Sequence, residues 1–331
     1  MFIIRHKKFF LIFAALIVLG ASAVVVAFGL KPGIDFTGGS LIEVRYSEIP
    51  ERAVVESAVT ELNFGAASIR QAQSEAGSGY LITTRHLTED EHQVVTEKLT
   101  SLGKDGQVTK FTSIGPVIGQ ELKDKAVYAI GAVVALIIIY VAIAFSGVGA
   151  PVSSWIYGLF TIVVLVHDIL LPVTFMSVMG QFGGAHVDVL FVTVLLTILG
   201  FSVNDTIVIF DRIREKLKNN RTESRKNVPV PGGRDDIQVT YTLTRPFGDL
   251  VGEAIDETMT RSINTSMTVL LALIALYIFG SSVTKIFALT LLIGVVAGAY
   301  SSIFIASPLL VVYQEWRERA LKAALTTTAK K

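Results

Sequence analysis

The chain has 331 residues, of which 51% are hydrophobic and 17% charged, with a mean hydropathy of +0.59. That balance is too apolar for a soluble protein of this length and places the chain among integral membrane proteins. The absence of cysteine excludes disulfides, zinc-thiolate sites and cysteine nucleophiles, and the net charge of +1 conceals a segregation of basic residues along the chain.

The first apolar run, Phe9 to Phe28, follows the basic cluster Arg5, His6, Lys7 and Lys8. It has the roughly 20 residues needed to cross a hydrocarbon core. Ala21-Ser22-Ala23 has the small residues of a signal-cleavage site, but the apolar run continues past it as "VVVAFGL". That continuation favours an uncleaved first span.

Residues 31–125 are the only stretch large enough to fold in water. "SLIEVRY" alternates as a strand, "ERAVVESAVTEL" spaces its apolar residues as a helix, and "ASIRQAQSE" with "SGYLITTR" forms a hairpin around Gly77-Ser78-Gly79. "TEDEHQVVTEKLTSL" is a second helix with a Thr cap and acids in its first turn, and "QVTKFTSIGPVIG" closes as a strand. The order βαββαβ predicts a ferredoxin-like α+β sandwich.

Further apolar runs occupy Ala126–Phe145, Val152–Leu171, Val187–Phe210, Ile263–Phe279 and Ile286–Val312, the first two separated by the turn "SGVGAP". The expected fold is therefore an α-helical membrane protein with six transmembrane helices. A small extracytoplasmic domain sits between the first and second. Residues 1–30 hold the N-terminus and first helix, 31–125 the outer domain, and 126–312 helices two to six with a loop at 211–261; 313–331 form a basic tail. That loop carries Arg212, Arg214, Lys216, Lys218, Arg221, Arg225, Lys226, Arg234 and Arg245, and the tail Arg317, Arg319 and Lys322. Every basic flank lies on one face, which the positive-inside rule makes cytoplasmic, with both termini there. The basic run from Arg212 to Lys226 reads as an orientation signal and a lipid-surface patch.

Within the fourth span, "GFSVNDTIVIFDRIREK" places Asn204 and Asp205 in hydrocarbon. Counted from Asp188, Asp205 lies about 25 Å along the helix, in its cytoplasmic third. A charged Asp there costs about 2.5–3.5 kcal/mol, so it is expected to be neutral, paired or in a water-filled cavity. Arg261 opens the fifth span at similar depth and starts a polar stripe with Thr265 and Thr268. Pairing or water-mediated coupling of Arg261 with Asp205 is the expectation; the bland alternative is an Arg that snorkels to the interface.

"VLVHDILLP" puts His167 and Asp168 about 22–24 Å from the start of the third span, in its outer third. Either the pair caps this end of the span, or it supplies a proton relay. Together these groups suggest a route from His167 and Asp168 to Asp205 and then Arg261. Gly294 and Gly298 form a small-xxx-small pattern that suits close helix packing inside the bundle. "GIDFTGGS" lacks the Lys-Ser/Thr pair of a phosphate loop and runs into a strand, so it reads as a tight turn seating the outer domain. No metal-ligand spacing and no nucleophile-base pair is visible, so neither an enzyme nor a metal site is expected.

"GIDFTGGSLIEV", "VLVHDILL", "GFSVNDTIVIFDRIREK", "TMTRSINTSMTVLLALIALYIFG" and "FALTLLIGVVAGAYSSIFIASPLLV" together resemble the SecF family, in the right order over nearly the whole chain. SecF is the smaller subunit of the bacterial SecDF protein-export complex and one half of a resistance-nodulation-division transporter fold. The resemblance implies a multi-pass protein of the bacterial plasma membrane that, with SecD, uses the proton-motive force to promote late steps of preprotein export. It implies SecD, the SecYEG channel, YajC, unfolded preproteins and membrane lipids as partners, no nucleic acid, and no cofactor beyond the proton gradient. By motif, Asp205 corresponds to the family's proton-carrying acid, Arg261 to its fifth-span arginine, and Asp35, Phe36, Thr37, Gly38 and Gly39 to the segment after the first span. The loop containing "VPVPGGRDDIQVTYTLTRPFGDLVGEAID" is longer than the family pattern. Two other readings use the same residues: a half-size proton-coupled transporter of lipids or small molecules, and a non-conducting structural subunit of the translocon. An outer domain of fewer than 100 residues is small for substrate portering and favours export.

Overall fold

The structure is a computed structural model that describes residues 2–65, 67–74, 77–144, 152–229 and 235–328. The chain starts with α1 (Phe2–Arg5) and the first long apolar helix, α2 (Lys7–Phe28). After the short turn α3 (Ile34–Thr37) come β1 (Gly39–Tyr46), α4 (Arg52–Glu61), β2 (Ser68–Ser74), β3 (Gly77–Thr84), α5 (Glu89–Thr100) and β4 (Gln107–Ile114). The remaining bundle is α6 (Pro116–Ala144), α7 (Ser154–Phe182) and α8 (Val189–Asn219), then the hairpin β5 (Arg221–Pro229) and β6 (Asp235–Leu243), then α9 (Phe247–Phe279) and α10 (Ser282–Ser301). A π turn, Ser302–Ala306, joins α10 to α11 (Ser307–Thr328). Among the described residues six helical stretches are long and apolar enough to cross a membrane, the last running through α10 and α11, so the chain is a multi-pass membrane protein.

The sheet has the order β2-β3-β1-β4 and is antiparallel throughout, the arrangement expected of βαββαβ. Alternation along β1 sends Ile42, Val44 and Tyr46 to one face, where Val55 and Val59 of α4 and Val95 and Leu99 of α5 cover them. Each such side chain contributes about 1.5–3 kcal/mol on full burial. The Tyr46 hydroxyl donates to the Leu99 carbonyl at 2.8 Å, tying α5 to the sheet. Thr88 and Glu91 form a reciprocal capping box at the start of α5. Gly77, Ser78 and Gly79 lie in β3, paired with Ser74, Gln73 and Ala72. The hairpin therefore does not turn at these three residues; 75–76, between the two strands, lie outside the described residues, as does "SGVGAP".

Two contacts seat the sheet domain on the bundle. Gly38 has φ +74°, and a Cβ there would lie 2.8 Å from Pro116 Cα, so backbone meets backbone where α3 abuts the start of α6. Gly119, one turn on, packs the same way against the Gly38 amide. On the other side, Gly33 N donates to Val187 O at 2.7 Å and Val187 N to Lys31 O at 2.8 Å. The Asp35 carboxylate then accepts from Val189 N at 2.9 Å, and Asp188 from Phe191 N at 2.8 Å. Two acids thus sit on the otherwise unpaired amides of α8's first turn, where the helix dipole favours them.

At the opposite end of the bundle, Arg212 and Lys216 of α8 pair with Glu257 of α9 at 2.5 and 2.6 Å, and Arg245 pairs with Glu253. These members of the basic loop cross-link helices, a use beyond orientation and lipid contact. The main core lies beside them: Ile209, Phe210, Ile213 and Leu217 of α8 cluster with Leu250, Val251 and Ala254 of α9 and Leu310 of α11.

Candidate functional site: a polar seam between four helices

Helix α8 is the axis of the site. Ser202, Asp205 and Thr206 follow at helical spacing of three and four, so they line one stripe. Ser202 and Thr206 are fully buried, Asp205 is half-buried, and Asn204 is exposed.

The outer part of the seam is a closed network. His167 and Asp168 of α7 are buried, at 3% and 0% exposure. His167 Nδ1 lies 2.8 Å from Asp168 Oδ1, and its Nε2 lies 2.6 Å from the Tyr300 hydroxyl. The other carboxylate oxygen, Asp168 Oδ2, accepts from Ser202 Oγ at 2.5 Å and Ser301 Oγ at 2.8 Å. With Tyr300 donating to Nε2, Nδ1 carries the imidazole proton and donates to Asp168, so every polar atom of the cluster is satisfied. A polar network sealed from water strengthens through its low dielectric surroundings and fails expensively when broken.

Glycine makes the network fit. A Cβ on Gly298 of α10 would lie 3.2 Å from Ser202 Cα and 3.7 Å from Asp168 Oδ2, and one on Gly294 would press into Ile198. The small-xxx-small stripe therefore faces α8 within the bundle and brings Ser301 to Asp168. Directly after it the helix widens into the π turn. Ser302 shares a 3.0 Å hydrogen bond with Thr206, while Ser307 donates to the Ser302 carbonyl at 3.2 Å. Single π turns in α-helices recur at functional sites.

About one helical turn beyond Ser202 lies Asp205. Its Oδ2 accepts from Ser266 Oγ of α9 at 3.3 Å. The buried face of α9 carries Ser262 and Ser266, and Ser262 Oγ is buried without a partner. The stripe singled out in the sequence, Arg261, Thr265 and Thr268, lies on the exposed face with Asn264. No ion pair joins Arg261 to Asp205 among the described residues. The structure thus brings His167 and Asp168 together, sets Asp205 a turn away, and leaves Arg261 and Asn204 at the surface of the bundle. Asp35 to Gly39 form the turn that leads into the sheet, outside the seam.

Sequence reasoning missed Tyr300, Ser202, Ser301, Ser302, Thr206 and Ser266. Their signal was present as Ser202 three residues before Asp205 and Thr206 directly after it, and as the run "AYSS" inside an apolar span. Isolated hydroxyls are common in membrane helices and usually bond their own backbone, so only the packing distinguishes these. No group of three or more His, Asp or Glu is placed to hold a metal ion among the described residues.

The family described as protein export membrane protein SecD/SecF, C-terminal, matches residues 94–230 and 234–316, and the SecD/SecF GG motif matches residues 23–48. A protein translocase subunit SecF from Anaerolinea thermophila is 35% identical over 331 residues, covering 98% of each chain. One from Thermobaculum terrenum is 34% identical, covering 94% of this chain and 93% of its own. Among solved structures, SecDF from Thermus thermophilus, a translocon-associated membrane protein, superposes with a TM-score of 0.76 at 28% identity. The match covers 94% of this chain but 38% of the SecDF chain. SecDF in a super-membrane-facing form gives a TM-score of 0.63 at 29% identity. The chain belongs to the SecF family of protein translocase subunits.

Proposed function

We propose that the chain is one half of a proton-driven export device, working with a SecD partner to promote late steps of preprotein movement through the SecYEG channel. The single observation that carries this reading is the placement of Asp205. It sits at membrane depth where a closed buried network meets an exposed polar face made of Asn204, Arg261, Asn264 and Thr265. Arg, Asn and Asp exposed in hydrocarbon are costly, so this face wants a second polar surface, and a chain spanning 38% of SecDF leaves room for one.

In this reading the partner half covers the face and completes a water-filled path. Asp205 takes up and releases the proton there, because it alone of the two buried acids is half-open. The network around Asp168 holds α7, α8 and α10 in register and offers Asp205 a neighbouring relay through Ser202. Arg261 then acts across the subunit boundary and meets Asp205 only within the assembly. Basic loops and termini face the cytoplasm by the positive-inside rule, the sheet domain faces the opposite side, and the membrane is the bacterial plasma membrane. YajC, preproteins and lipids are the remaining expected contacts; no cofactor and no catalytic reaction is assigned.

The test is preprotein translocation into inverted vesicles under a proton gradient, with this chain co-expressed with its cognate SecD. Asp205→Asn should insert at normal levels and lose gradient-stimulated export. Normal export by that variant refutes proton coupling at Asp205 and leaves a structural subunit.

A further inference from the structure

On the sheet-domain side of the bundle, β2 reaches down to the loop between α7 and α8. Arg70 lies there half-buried, and its Nη2 donates to His186 Nδ1 at 3.0 Å. Gly184, at φ +63°, lies directly against the guanidinium; any side chain there would collide with it. Arg70 Nε is buried with no hydrogen-bond partner. The chain segment bearing Lys31 is hydrogen-bonded to Val187, next to His186, and Lys31 itself is exposed. Helix α10, which touches β2, carries Lys285 one turn in. Among the described residues no carboxylate pairs with Arg70, Lys31 or Lys285.

That arrangement is unusual in several respects. A guanidinium removed in part from water normally finds a carboxylate or phosphate that matches its fork, and here it has one neutral imidazole. Lys31 adds a second positive charge beside the same imidazole, and burial together with both cations holds the His186 pKa below its ordinary value. The acids flanking this stretch in sequence, Asp35 and Asp188, are committed to the first turn of α8. Finally, Lys31 stands three residues past the end of α2, at the level where apolar helix gives way to the headgroup zone of a bilayer.

We propose that Arg70, His186 and Lys31 form a binding site for a phosphate-bearing anion at the membrane surface beneath the sheet domain. A phospholipid headgroup and free phosphate share this chemistry. The anion bridges the guanidinium and the Lys31 ammonium, and so ties β2 to the segment that follows α2. His186 holds the guanidinium in place.

The experiment uses the full chain in nanodiscs of phosphatidylcholine containing a minor share of phosphatidylglycerol. Native mass spectrometry counts retained phosphatidylglycerol, and phosphorus NMR line width reads binding of inorganic phosphate in lipid-matched discs. A charge-assisted contact is worth about 1.5–3 kcal/mol, so Arg70→Gln should weaken retention at least about tenfold. Lys31→Gln, which leaves the docked backbone intact, should weaken it severalfold, and His186→Gln, whose amide oxygen accepts from Arg70, should retain it. Loss of phosphatidylglycerol alone assigns the site to a headgroup; loss of phosphate broadening alone assigns it to the free anion. Equal behaviour of wild type and Arg70→Gln in both readouts overturns the proposal, as does sensitivity to Arg70→Gln with none to Lys31→Gln.

Discussion

Replacing Asp168 with alanine removes the acceptor of three hydrogen bonds, from His167 Nδ1, Ser202 Oγ and Ser301 Oγ, in a place closed to water. The donors differ in what they can do next. Ser301 Oγ already lies 3.2 Å from the Gly298 carbonyl and can turn to it. His167 and Ser202 have no second acceptor in the network. A stranded buried donor costs about 1–3 kcal/mol, so two cost about 2–6 kcal/mol; the bilayer average of about 0.6 kcal/mol per bond sets a floor near 1 kcal/mol. Asp168→Asn behaves differently. Its Oδ1 still accepts from His167, and both serine hydroxyls can rotate to accept from its amide, so the loss should stay under about 1.5 kcal/mol. Equilibrium unfolding in mixed micelles, with α7–α10 contacts read by paired fluorophores, measures both. Alanine and asparagine variants of equal stability would refute the network as drawn.

Gly38→Ala forces an L side chain into φ +74° against Pro116. The conformation alone costs about 1–2 kcal/mol, and amide exchange across Phe36–Gly39 should rise at least about fivefold; unchanged exchange would show that the turn does not need glycine. Tyr46→Phe should destabilise the sheet domain by about 0.5–1.5 kcal/mol through loss of the hydroxyl bond to the Leu99 carbonyl, which keeps the Leu102 amide at 3.3 Å, visible as faster exchange in α5. In that domain, hydrogen bonds from Arg85 and the Thr88 amide hold the Glu91 carboxyl down at about 2, against an ordinary 4.5. A depressed folded-state value means the contribution is whole above about 4.5 and disappears as pH falls towards about 2. Carboxyl NMR should show Glu91 titrating in that window, and Glu91→Gln should flatten the acid limb of helix α5 stability; a midpoint above 4 contradicts the capping geometry.

Long periodic signals were the legible part of the sequence. The six apolar runs and the βαββαβ alternation determine the architecture, because burial of apolar stripes is what drives those elements together. The site was legible only as charges. Asp205, Arg261, His167 and Asp168 stand out because each is expensive in hydrocarbon, but which one meets which depends on helix rotation. A stripe at Arg261, Thr265 and Thr268 and a stripe at Ser262 and Ser266 are equally periodic; packing on α8 chose the second to face inward. Tyr300 was invisible for the same reason, since an aromatic in an apolar span announces nothing until His167 is placed against it.

Helix α8 runs without interruption from Val189 to Asn219, about 46 Å at 1.5 Å per residue. One end is stitched to the linker of the sheet domain through Asp35, and the other is riveted to α9 through Arg212 and Lys216. Asp205 stands near its middle. A continuous hydrogen-bonded helix transmits displacement with little give, so under the proposed role of Asp205 a slide or roll begun at that carboxylate would arrive at both ends of the helix together. The sheet-domain linker and the ion pairs to α9 would then be the two ends of one lever.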